Sequence, residues 1–343
     1  MKRLKRIFGS NYLALIVVTA AVMLLFFILN NNFLALDNVK NLMNAVSFTG
    51  TITVGMALLL IAGEVDLASG AEACFGGVVC AMAINAGVPW PVALIIALVF
   101  GACCGLVNAF FVNVVHIMGF ICTLGIMGIY NGLIRVVTDN HPIPAYEPSF
   151  WKLGSTTLFG IFPLPFVIMI TLMVVYGLIL TRTNFGRTIY MIGGNRRAAR
   201  LCGINPQRII TALYVNNGML AALAGVILTA RMHNASPGAA STGAIDAITA
   251  AVLGGISFLG GVGGMGGCFI GILLITVFSA GLTATGLPSY WQIVAQGAIL
   301  VFALSVDFFN SKARKRRLER DEIKRRRLHF ESRATENQHR ETD

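Results

Sequence analysis

TRTNFGRTIYMIGGNRRAARLCGINPQR, residues 181–208, decides how this chain is read. It holds six arginines (Arg182, Arg187, Arg196, Arg197, Arg200 and Arg208) and no acid, and it lies between long hydrophobic blocks. Lys and Arg concentrate in the cytoplasmic loops of polytopic membrane proteins. The stretch is therefore expected on the cytoplasmic face. It is also patterned. Gly193-Gly194-Asn195 breaks the chain, an Arg/Ala-rich helical run follows, and that run stops at Cys202-Gly203-Ile204-Asn205-Pro206. Such a pattern predicts a docking element rather than a passive connector.

The rest of the chain supports the membrane reading. Of 343 residues, 56% are hydrophobic and 12% charged, against about 25% charged in a soluble domain. The net charge of +11 comes mostly from the ends. Residues 1–6 hold four basic residues, residues 311–343 hold twelve basic and seven acidic, and residues 7–310 only ten basic and eight acidic. The expected organisation is a basic cytoplasmic N-terminus (1–11), a transmembrane domain (12–310) and a basic, partly disordered cytoplasmic tail (311–343). Charge alone would let the tail hold a nucleic acid. Basic residues right after a span more simply retain a terminus in the cytoplasm against anionic lipid, so no nucleic-acid partner is expected. The seven cysteines form no C-x-x-C and mostly sit in apolar runs, as small buried hydrophobes do. With five scattered histidines, no metal site or cofactor is expected.

Spans of about 20 apolar residues fall near 12–29, 44–62, 70–86, 91–112, 118–135, 161–180, 209–230, 244–259, 264–285 and 290–309. The fold class is an all-α polytopic membrane protein of about ten segments, with short or re-entrant Gly-rich pieces at the third and eighth. Ten spans with the N-terminus inside put residues 1–6, the arginine loop and the C-terminal tail on one side. The Pro-rich 136–160 loop falls on the other.

Acids near or inside apolar segments (Glu64, Asp66, Glu72, Asp246 and Asp307) are costly there and usually serve a purpose. Glu64, Asp66 and Asp246 are candidate pathway or structural polar groups. They sit near segment ends, which suits helix capping and interhelical hydrogen bonding better than a proton relay. Asp66 is expected to cap the helix starting at Ala68, and Asp246 the helix that follows it. Gly254–Gly271 contains G-x-G-x-x-G at Gly261, Gly263 and Gly266, but no preceding strand and no acid about 20 residues on, so it is no dinucleotide fingerprint. Small-xxx-small spacing at Gly260, Gly264, Gly267 and Gly271 predicts close helix packing, as does Gly101/Gly105. No Gly-Lys dipeptide exists, so no Walker A loop is present. No catalytic constellation appears.

Four stretches, in order, resemble the permeases of bacterial ABC importers for monosaccharides, the ribose/xylose-type group. Ala62–Gly70 (AGEVDLASG) resembles their GGIDLSVG, and Thr123–Leu133 their TLGTM…RGL. Thr183–Asn195 with Ala198–Ile204 resembles their cytoplasmic signature, and Ile245–Gly261 their LDAIAAVVLGGTSLFGG. The resemblance implies a subunit without chemistry of its own, paired with a second permease subunit as homo- or heterodimer. It also implies cytoplasmic ATPase subunits and an extracytoplasmic sugar-binding protein as partners, in a bacterial plasma membrane. The family's coupling segment falls on Gly194, Asn195, Arg196, Ala198, Ala199, Arg200, Gly203 and Ile204. This chain departs from the pattern at Glu64 and Ala68, where the family has Gly and Ser, and at Asn131, where it has Arg. An ion- or proton-coupled secondary transporter using Glu64, Asp66 and Asp246 is one alternative. A sibling permease for branched-chain amino acids or nucleosides is another.

Overall fold

The computed structural model describes residues 10–288, 290–308 and 312. The expected basic ends, 1–11 and 311–343, lie almost wholly outside them. The helices are α1 (Ser10–Leu29), α2 (Leu36–Ile61), α3 (Ser69–Asn85), α4 (Trp90–Asn113), α5 (Gly119–Val137), α6 (Pro148–Ser155) and α7 (Leu164–Arg182). There follow α8 (Asn184–Gly194), α9 (Arg196–Leu201), α10 (Pro206–Met232), α11 (Gly243–Leu253), α12 (Met265–Ala284) and α13 (Tyr290–Phe308). Four two-residue strands, β1 (Ile143–Pro144), β2 (Thr157–Leu158), β3 (Phe162–Pro163) and β4 (Asn234–Ala235), pair antiparallel as β1–β4 and β2–β3.

Each of the ten expected segments contains one apolar helix. Among the described residues seven (α2, α4, α5, α7, α10, α12 and α13) are long and apolar enough to cross a membrane; α1, α3 and α11 have shorter apolar stretches. The eighth segment, expected as a short or re-entrant Gly-rich piece, holds only a short helix. Its helix α11 has 11 residues, about 16 Å at 1.5 Å per residue, roughly half a bilayer core. Residues 254–264 then run without helix to α12. Glycines cause this. Gly255, Gly260, Gly261 and Gly263 all have positive φ, which ends one helix and delays the next. Gly260 and Gly264 therefore lie before α12 rather than on a helix face. Gly267 and Gly271 lie on α12, and at Gly271 a Cβ would sit 2.0 Å from the Ala250 carbonyl of α11. Gly267 presents its carbonyl to Gly254.

The connections sort into two ends. At one end Gly261 N–H donates to Ile61 O (2.8 Å), Asn113 Nδ2 donates to Gln207 O (3.1 Å) and Tyr190 OH donates to Gly263 O (2.7 Å). These contacts join the connections after α2, α4, α7 and α11, and this is the arginine-loop end. At the opposite end Asn30 Nδ2 donates to Ala284 O (2.9 Å) and Asn85 Nδ2 to Pro144 O (2.7 Å), while β1 pairs β4. The Pro-rich loop supplies helix α6 there, with Trp151 stacked on His233 at 4.4 Å.

Helices α2, α3, α4 and α10 form the core, and α10 is its axis. Gly225 of α10 lies so near α3 that a Cβ would sit 1.7 Å from Ala73 O. Gly101 and Gly105 of α4 face the carbonyls of Gly218 and Tyr214 of α10 at 2.4 and 2.2 Å by the same measure. Missing side chains let backbones touch, which drives association where lipid offers no hydrophobic force. Hydroxyls inside this core bond back along their own helices, as Thr51 does to Ser47 O and Thr53 to Thr49 O.

Candidate functional site

The arginine loop folds as two short helices because its sequence carries three caps. Thr183 is extended at the end of α7, and its hydroxyl accepts from Gly186 N–H at 3.1 Å, starting α8. The Asn195 side-chain Oδ1 accepts from the N–H groups of Arg197 and Ala198, both at 3.0 Å, starting α9. Asn205 caps α10, with Pro206 as its first residue. These are the side chains that satisfy orphan N–H groups at helix starts. Gly203, at φ +80°, closes α9: its N–H bonds Arg200 O (3.0 Å), and Ile204 N–H reaches Ala199 O (3.1 Å). This is a left-handed terminator that glycine adopts at low cost.

Helix α8 buries Gly186, Ile189 and Ile192, one face at three-residue spacing. At its end Gly193 is wedged between backbones: a Cβ there would lie 1.9 Å from Ile61 O and 2.5 Å from Gly261 N. In α9 only Ala199 is buried; Arg197, Ala198, Arg200 and Leu201 are exposed, with Leu201 at 91%. The expected coupling residues thus form one projecting unit, of which Gly194 and Gly203 border open space.

This unit is fastened to the core by Glu64. Arg196 Nη2 lies 2.5 Å from Glu64 Oε1, the one ion pair among the described residues. The Glu64 side chain is 7% exposed and that of Arg196 44%. Tyr214 OH donates to Val65 O at 3.0 Å and stands 3.5 Å from Glu64 Oε2. Gly119, at the start of α5, leaves room for both: a Cβ there would meet Glu64 Oε2 at 2.6 Å and the Tyr214 oxygen at 2.7 Å. The carboxylate that departs from the family pattern is thus enclosed by α5, α9 and α10.

Asp66 is two residues deeper and fully buried. Its Oδ1 accepts from Ala68 N–H at 2.9 Å, and helix α3 follows at Ser69. Its carboxylate also accepts from Asn108 Nδ2 (3.2 and 3.1 Å) and Asn217 Nδ2 (3.0 Å). Asn108 Nδ2 reaches Glu72 Oε1 as well, at 2.8 Å. One amide from α4 and one from α10 therefore hold the α2–α3 turn. Asp246 differs from its expected place. Helix α11 begins at Gly243, so Asp246 stands inside the first turn and its Oδ2 accepts from Thr242 Oγ1 at 3.0 Å. The sequence reading missed Asn108, Asn217 and Tyr214, and saw Gly193 only as part of a chain break. Asparagines in otherwise apolar runs were the available signal for two of them. Asp307 accepts from Phe258 N–H (3.0 Å), tying α13 to the loop after α11.

Comparison with known proteins agrees with this architecture. The family described as branched-chain amino acid transport system / permease component matches residues 38–304. The ribose import permease protein RbsC of Bacillus subtilis (strain 168) is 36% identical over 280 residues, covering 81% of this chain and 87% of its own. The RbsC of Haemophilus influenzae is 32% identical, covering 87% and 92%. The xylose transport system permease protein XylH of Escherichia coli (strain K12) is 31% identical, covering 80% and 86%. No solved structure matches the chain. The chain belongs to the branched-chain amino acid transport system / permease component family and is a multi-pass membrane permease subunit of an importer.

Proposed function

We propose that this subunit forms the path for a monosaccharide in an ATP-driven importer. ATP is hydrolysed by separate cytoplasmic subunits that dock on α8–α9, and an extracytoplasmic binding protein delivers the sugar. The observation that carries the reading is α9: a capped helix with an almost fully exposed leucine and three exposed arginines, one of them tied to Glu64, at the end where the connections after α2, α4, α7 and α11 gather. Arginines on such a projection can pair with acids of a partner, and the helix passes on domain closure as a rigid-body push. The ribose and xylose relatives favour a sugar over the amino acid in the family's description. The sorting of the connections into two ends supports ten membrane segments, with both termini cytoplasmic in a bacterial plasma membrane. The half-length α11 and its glycine loop form a re-entrant piece, allowed where irregular backbone is buried in protein. A second permease subunit completes the pathway, and the basic tail lies against anionic lipid.

Gly203→Val tests the docking assignment. A β-branched residue at φ +80° is strained by about 1–3 kcal/mol, and the strain is confined to the end of α9, where a Cβ meets nothing. The variant is expected to reach the membrane in normal amount, to lose most sugar uptake and to retain less ATPase on co-purification. Normal uptake by that variant would refute the assignment.

A further inference from the structure

A cavity of about 580 Å³ opens at the end opposite the arginine loop, between α1, α2, α11, α12 and α13. Its polar lining includes Asn38, Asn41, Thr49, Asp246, Thr276 and Gln296. Several of these are already engaged. Arg231 Nη2 donates to Asn41 Oδ1 (3.2 Å), and Gln296 Nε2 donates to Ser279 Oγ (3.4 Å). Two polar atoms of lining residues are not: Asp246 Oδ1 and Thr276 Oγ1 are buried and have no hydrogen-bond partner within the protein. A buried polar atom without a partner costs about 1–3 kcal/mol, so two on residues that line one cavity point to a ligand that completes them.

The lining narrows the chemistry. Hydroxyls and amides dominate, and Asp246 is the single charged residue among the lining groups. The volume lies in the range of small-molecule sites, about 300–1,000 Å³, and far exceeds the ~30 Å³ share of one water. A bare cation would leave most of it unfilled. A sugar hydroxyl both donates and accepts. It can give its proton to a carboxylate oxygen and take one from a threonine hydroxyl.

We infer that the permease itself holds a monosaccharide in this cavity, with Asp246 Oδ1 accepting from one sugar hydroxyl and Thr276 Oγ1 bonding another. The inference rests on the monosaccharide reading above and deepens it: selection happens in the membrane as well as in the delivering protein. Charge-assisted hydrogen bonds are about twice as strong as neutral ones, so Asp246 contributes the larger share.

The test uses the full-length permease in lipid nanodiscs, without ATPase or binding protein. Saturation-transfer NMR is run with D-ribose, D-xylose and D-galactose, and with choline as a cationic probe. At least one sugar is expected to give signal with the wild type. Asp246→Ala should weaken it at least tenfold, and the near-isosteric Thr276→Val, which keeps the packing, several-fold. Asp246→Asn should fall between wild type and Asp246→Ala. Sugar signal unchanged in both Asp246→Ala and Thr276→Val, each monodisperse by size exclusion, would overturn the site, as would saturable binding of choline alone. Uptake by intact cells separates the two levels. Cells that import one of these sugars through this permease, while the nanodisc protein binds none, would refute the cavity and leave the sugar importer standing. Cells in which deleting the gene changes no sugar uptake, while the nanodisc protein binds sugar through Asp246, would keep the cavity and refute the importer reading.

Discussion

Arg196→Ala is expected to damage the protein more than Glu64→Gln, although both break the same ion pair. Loss of Arg196 leaves the Glu64 carboxylate, 7% exposed, with the Tyr214 hydroxyl at 3.5 Å as its nearest remaining donor. Removing one partner of a buried pair costs about 3–5 kcal/mol because an uncompensated charge stays behind. Here the value falls towards the lower end, since Arg196 is half in water. Loss of the Glu64 charge instead frees a guanidinium that can turn to solvent, at about 1 kcal/mol or less. Thermal unfolding in detergent should show a fall of several degrees for Arg196→Ala and a small one for Glu64→Gln. The double variant should recover most of the loss, because no buried charge remains. Transport should separate differently. All three variants lose the tie between α9 and the core, so each should hydrolyse more ATP per sugar moved. Equal destabilisation by both single variants, with additive loss in the double, would show that the pair stabilises nothing.

Gly225→Val is expected to remove the folded protein altogether. Its Cβ would lie 1.7 Å from Ala73 O and 2.5 Å from the Ala73 carbonyl carbon, so α10 and α3 must separate along their length. Overpacking ordinarily costs about 1–3 kcal/mol and occasionally more. A backbone obstacle cannot rotate aside, which places this case above that range. The measurement is the yield of monodisperse protein after membrane extraction. Gly128→Ala in α5, where a Cβ meets nothing within 4 Å, is the control and should match wild type. Normal yield of Gly225→Val would mean that α3 and α10 do not touch as described.

Much of this was legible in the sequence, and the reason differs by element. Hydropathy located an apolar helix in every expected segment, because a membrane helix must satisfy its own backbone and announces itself by length. The arginine loop was legible because capping is local: Asn195 and Gly203 act within three residues of themselves. Glu64–Arg196 was not legible, since 132 positions separate the two and only the fold brings them together. The same holds for Asp66, whose two amide donors come from α4 and α10. The glycine-rich stretch was half misread for another reason. A small-xxx-small spacing looks the same whether its glycines lie on a helix face, as Gly271 does, or adopt positive φ in a loop, as Gly260 does. Asp246 was displaced from its expected cap because α11 starts three residues earlier, at Gly243.

The crossing of Ile61, Gly193 and Gly261 has a mechanical consequence. Three chain segments meet there through bare backbone, with Gly261 N–H bonded to Ile61 O and no side chain at Gly193 to cushion the contact. A joint cushioned by side chains absorbs a push by changing rotamers; a joint of main chain has almost no play. Movement imposed on α8 therefore reaches the end of α2 and the glycine loop at nearly full stroke. At the opposite end α1, α2, α11, α12 and α13 stand around an open cavity instead. The subunit thus joins a rigid main-chain crossing at one end to an open cavity at the other.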